Sequence, residues 1–198
     1  MAAKQDWFLP IEQDNLTLNQ ALDQLRLVTG DKGGEYSTLM ARLGQNPVLQ
    51  GNGISCFGQP INNIQQACIH IMLGRGLLAV DEAFVIGFNL GCCNKVITSV
   101  QKLYSFASKN IYALLPELDT DARTILKDAI KLGYISNCTS LDSFDFTPWL
   151  DQSIGKVRHV LGIDPALLRA YFAVEKRRFP RSLASQRLLP YEPKMLVS

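Results

Sequence analysis

The chain contains two histidines, His70 and His159, so imidazole chemistry has few places to sit. His70 lies in the run Gln66-Ala67-Cys68-Ile69-His70-Ile71-Met72-Leu73-Gly74, and Glu82 follows after eleven intervening residues. Gln66 and His70 are four apart, which places them on one face of a helix, and Glu82 falls in the first turn of the next helix. A turn at Gly74 to Gly76 would fold the two helix ends together and set the imidazole beside the carboxylate. That pair can act as a general base with an orienting carboxylate. It can instead supply two donors to a weakly held divalent metal, or be a buried polar pair satisfied by each other or by a backbone carbonyl. His159 stands beside Arg158 on a helix that must also show a solvated face, and it is given no role. No GxSxG, HExxH, P-loop or GxGxxG sequence occurs.

The elements that must position these residues are helical, because apolar residues recur at helical spacing and strictly alternating segments are scarce. Leu16, Leu18, Leu22, Leu25 and Val28 form one stripe, with Asn15 or Thr17 as the cap and Gly30 as the stop. A short helix is predicted over residues 37–43, and residues 45–60, rich in glycine and proline, are predicted to be a loop. Asn62 or Asn63 caps a helix carrying Ile64, Cys68, Ile69, Met72 and Leu73 that ends at the Gly74 to Gly76 turn. The next helix is predicted to start at Asp81, whose carboxylate suits the positive end of the helix dipole, and to continue to Phe106 or beyond. Residues 83–93 of it are apolar nearly all round, with Gly87 and Gly91 four apart. This is the pattern of a central helix closely approached by its neighbours.

Asp119 or Thr120 opens a further helix that Gly133 would stop, followed by a polar, irregular stretch over residues 134–146. Thr147 and Pro148 begin a helix that Gly162 ends, and Asp164 and Pro165 begin the last one. Beyond Phe179 the prolines predict an extended arm. The expectation is one all-α domain over residues 1–179, about seven helices around the central apolar one, with an arm over 180–198.

Composition narrows the function classes. In 198 residues, 47% are hydrophobic and 19% charged, which fits a globular domain and excludes a disordered chain. A formal net charge of +2 lacks the basic excess of a nucleic-acid binder, so no nucleic-acid partner is expected. Asp81, Glu82, Asn89, Asn94 and Lys95 interrupt the best candidate for a membrane span, residues 77–100. The acidic and amide residues within 1–14 are unlike a signal peptide, and a cytoplasmic location is expected. Five cysteines with no CxxC spacing are expected to be reduced thiols and mostly small core residues.

Two stretches together resemble the coenzyme Q (ubiquinone) biosynthesis protein four family. That family carries H-D-x-x-H, eleven residues, then Glu, with Leu-Gly three and four residues after the second His. Here His70, Leu73, Gly74 and Glu82 occupy those places. The family's C-terminal pattern is matched by Trp149, Asp151-Gln152-Ser153, Ile154, Val157-Arg158 and Leu161-Gly162-Ile163. The likeness spans residues 61–163, with the two stretches in the same order and at similar separation. Gln66 and Ala67 stand where the family has its first His and its Asp, so the metal motif is degenerate and no firmly bound metal or other cofactor is expected.

The resemblance implies an all-α protein of isoprenoid quinone metabolism, peripheral membrane contact and partners in a biosynthetic complex. The first expectation is therefore a divergent member, with catalysis left open, that binds an isoprenoid or other apolar lipid in a slot lined by Gln66, Phe84, Gly87, Phe88 and Gly91. If activity is retained, His70 would serve as base or ligand, with Glu82 orienting it. The basic group Lys176, Arg177, Arg178 and Arg181 is either a solvated helix end or a contact to an anionic membrane or partner. The second expectation is a helical scaffold in which the family-like residues survive as packing. A pocket lined from both the His70 helix and residues 83–93 would favour the lipid reading, and solid packing there the scaffold.

Overall fold

A computed structural model describes residues 7–29, 43, 63–94 and 98–190. Among these residues the secondary structure is helical, with a single isolated bridge between Thr17 and Ser153. No helix among them is long and apolar enough to cross a membrane.

Local sequence sets most helix ends. Helix α1 (Leu18–Thr29) buries Leu18, Leu22 and Leu25 as the stripe requires, and Gln20 N–H donates to the Thr17 hydroxyl at its start. Helix α2 (Asn63–Met72) ends in a Schellman turn. Arg75 N–H bonds to the His70 carbonyl and Gly74 N–H to that of Ile71, with Gly74 at φ +62° where a side chain would be strained. Helix α3 (Ala79–Asn94) is buried from Asp81 to Cys92. Helix α4 starts at Val100–Phe106 with Ser99 as its cap and continues through a π-helical turn, Ala107–Ile111, to Leu114. Helix α5 (Thr120–Ile135) is capped by Asp119, which accepts from Ala122 N–H at 2.7 Å. After a 3-10 turn at Thr147–Trp149 come α6 (Ile154–Leu161), α7 (Pro165–Arg178) and α8 (Leu183–Arg187).

The centre of the fold is the crossing of α3 and α5. It is made by glycines on both helices: Gly87 and Gly91 of α3 and Gly133 of α5. A Cβ on Gly87 would lie 2.9 Å from the Ala129 Cβ, one on Gly91 2.7 Å from Tyr134 N, and one on Gly133 3.0 Å from Cys92 N. No side chain fits between backbones this close, so the two helices touch main chain to main chain. Leu90, Phe88, Ile125, Leu126 and Ile130 fill the flanks and are fully buried.

Several expectations are corrected. The helix predicted from Asp81 through Phe106 is two helices, α3 ending at Asn94 and α4 starting behind the Ser99 cap. Gly133 does not stop α5, which runs through it to Ile135, because the residue is needed for close approach rather than for a left-handed cap. Thr147 and Pro148 open only a 3-10 turn, and the α-helix that follows begins behind Ser153, whose side chain accepts from Lys156 N–H. The arm expected from residue 180 includes α8, whose Ala184 and Ser185 are buried. The predicted helix over 37–43, apart from a helical, buried Leu43, and the predicted loop over 45–60 lie outside the described residues.

Candidate functional site

The turn after α2 brings His70 and Glu82 face to face, with His70 Nε2 3.5 Å from Glu82 Oε1 and both side chains nearly solvent-free. His70 Nδ1 lies 2.7 Å from the Gly76 carbonyl. A carbonyl oxygen only accepts, so Nδ1 carries the hydrogen and donates, and in the neutral ring Nε2 is the lone-pair nitrogen directed at Glu82. Burial pulls the His70 pKa down to about 4. The Gly76 hydrogen bond works against this shift, and the charge of Arg75 adds to it. The imidazole is therefore neutral over the ordinary pH range, and a single proton on either Nε2 or Oε1 would link the pair. Gln66, one turn earlier on α2, is buried as well.

This donor set does not fit the divalent metal that the family likeness implies. His70 and Glu82 are two donors, Ala67 offers none, and a firmly held divalent ion commonly takes at least three protein ligands. No group of three His, Cys, Asp or Glu able to hold a metal occurs among the described residues.

The residues expected to line a lipid slot are engaged otherwise. Gly87 and Gly91 are in contact with the backbone of α5, so the slot expected beside them is filled by protein. Phe84 lies beneath the Arg75 guanidinium, 3.8 Å from ring centroid to Cζ, and packs edge-on to Phe172. Phe88 stacks on Phe84 with centroids 6.0 Å apart. Gln66, Phe84, Gly87, Phe88 and Gly91 are all buried. An open cleft of about 380 Å³ lies elsewhere, between the start of α3 and α8, where Leu78, Val80, Leu183 and Ala184 meet Arg181 and Asp121. None of the five residues expected to bind lipid lines it.

Beside His70 lies a buried ionic group that sequence reading missed. Arg75 makes a bidentate pair with Glu175, Nη1 to Oε1 at 2.9 Å and Nη2 to Oε2 at 2.5 Å. Asp81 lies 3.8 Å from Arg75 and accepts from Arg187 at 2.5 Å. Ser185 donates to Glu175 at 2.9 Å, so α8 is held down by hydrogen bonds and charge. Two cations and two carboxylates balance, as burial demands. Burial lowers the Arg75 pKa, yet the charge and hydrogen bonds of Glu175, with Asp81 adding, more than offset it and raise the net value. For Asp81 burial prevails and lifts the pKa above the usual carboxylate range despite Arg75 and Arg187. One signal was legible: Glu175 continues the inward stripe of Leu168 and Phe172 on α7, so a carboxylate stands where an apolar residue is due.

Arg158, in the second family-like stretch, ties that stretch to the first. Its guanidinium donates to the carbonyls of Ile71 at 3.1 Å and Met72 at 3.0 Å at the end of α2, to Ile11 at 2.6 Å, and to the Asp14 carboxylate at 2.7 Å. Burial lowers its pKa, against the pull of Asp14. His159, beside it, is exposed. In the basic group at the end of α7, Arg178 pairs with Asp128 at 2.5 Å and Lys176 donates to the Leu189 carbonyl at 2.9 Å. Arg177 and Arg181 are exposed.

No protein-family model, curated protein or solved structure matches the chain.

Proposed function

We propose that this protein is a non-catalytic helical scaffold, a divergent relative of the coenzyme Q biosynthesis protein four family in which the family-like residues serve packing. The observation that carries this reading is the main-chain contact of α3 with α5 at Gly87, Gly91 and Gly133, which occupies the volume a prenyl chain would need. The resemblance supplies the setting, a role beside partners in a quinone-synthesising assembly, with His70, Glu82 and Arg158 fixing the joint between α2, α3 and α6. A second reading keeps the apolar ligand and moves it to the cleft of about 380 Å³ between α3 and α8, a volume within the range of small-molecule sites.

Native mass spectrometry of the purified protein, paired with the thermal midpoint of Gly87→Leu, tests the scaffold reading. The expected result is a lipid-free protein whose Gly87→Leu variant melts markedly lower, since the leucine must push α5 away. A stoichiometric lipid that Gly87→Leu displaces at an unchanged midpoint would overturn the scaffold. A lipid retained in Gly87→Leu and lost in Leu183→Asp would replace it with the cleft reading.

A further inference from the structure

Two thiols meet where α3 ends and the chain leaves α5. Cys92 Sγ donates to the Thr139 carbonyl at 2.9 Å, and Cys138 Sγ donates to the same oxygen at 3.2 Å. Two sulfurs bonded to one atom are neighbours, separated by no more than those two distances laid end to end. The main chain beneath them is fixed. A Cβ on Gly133 would lie 3.0 Å from Cys92 N, one on Gly162 would lie 3.5 Å from Cys138 Cα, and Thr139 N–H bonds to the Leu161 carbonyl at 2.9 Å. Cys93 points elsewhere: its Sγ is 3.1 Å from the Asp142 carboxylate and 3.2 Å from the Ser140 hydroxyl. Cys68 lies apart on α2, where burial pushes its thiol up to about 12.

We propose that Cys92 and Cys138 form a redox-active dithiol that a peroxide converts to a disulfide, linking the end of α3 to the stretch following α5. Cys92, buried like Cys138 but at 3% exposure the one of the two that solvent still reaches, attacks one peroxide oxygen as its thiolate. The O–O bond breaks, one water leaves, and a sulfenic acid forms. The Cys138 sulfur then displaces the hydroxyl as a second water and the S–S bond closes. Two thiols and one hydrogen peroxide become one disulfide and two waters, with both electrons ending on the peroxide oxygens. The cross-link closes the chain between α3 and residue 138, which restricts the unfolded state and raises the thermal midpoint.

The test exposes the native full-length protein to graded hydrogen peroxide, blocks remaining thiols with N-ethylmaleimide and maps the peptides, using fragment ions between Cys92 and Cys93 to tell them apart. The expected product has lost the mass of two hydrogens, joins Cys92 to Cys138, melts higher than the reduced form and reverts with dithiothreitol. Cys138→Ser should abolish the link and Cys93→Ser should keep it. No link in the native protein, or one made through Cys56, Cys68 or Cys93 in its place, would overturn the proposal. The wild-type map decides the matter even if a variant does not fold.

Discussion

Replacing Gly91 with alanine adds one methyl group to a helix. In an exposed helix this change stabilises, by about 1 kcal/mol from propensity alone. Here the opposite sign is expected. The new Cβ would lie 2.7 Å from Tyr134 N and closer still to the Ile130 carbonyl oxygen, both main-chain atoms of α5 that no rotamer change can move. Reaching ordinary contact requires the helices to part by nearly 1 Å, and a gap of about 0.5–1 Å forfeits a quarter to a half of each dispersion contact along the crossing. Overpacking of this kind costs about 1–3 kcal/mol. With rigid backbone as the obstacle the upper figure applies, and after the propensity gain the net loss is about 2 kcal/mol. For a chain of this length that corresponds to a fall in thermal midpoint of roughly 4–8 °C. Scanning calorimetry, with Gly87→Ala measured alongside, reads this directly. A midpoint for Gly91→Ala equal to or above that of the parent would refute the main-chain contact, and with it the reason for reading the site as packing.

Two further outcomes follow from the buried charges. His70 is held at a pKa of about 4 against 6.5 for an unperturbed histidine, so between those values the unfolded chain binds more protons than the folded one. Stability is complete above the unfolded pKa and declines as pH falls through this window, by about 3 kcal/mol in all. Urea midpoints from pH 7 to 4 should show that loss in the parent and lack it in His70→Gln, and parallel curves would contradict the burial argument. Glu175→Gln should destabilise by about 3–5 kcal/mol, because it leaves the Arg75 guanidinium buried with less than its compensating charge. Denaturant unfolding checks this, and the double replacement Arg75→Met with Glu175→Leu should recover most of the loss.

Sequence alone determined what short-range chemistry governs. The caps at Asp119 and Asp164, the left-handed glycines at Gly74 and Gly162, and the stripe of α1 were legible because a helix end is decided by side-chain oxygens and φ values within four residues of it. The approach of His70 to Glu82 was legible for the same reason, since one tight turn separates them. Tertiary structure decided the rest. Gly133 carries the same local signal as Gly74, yet it lies inside α5, and only the backbone of α3 lying against it explains the difference. The glycine pair of α3 fits a ligand slot and a helix crossing equally well until α5 is placed. Arg75 and Glu175 are 100 residues apart, and the tail that carries Ser185 and Arg187 reads as an arm until the charges it neutralises are seen beneath it. Burial creates the need for those partners, and burial is a property of the assembled chain rather than of any local window.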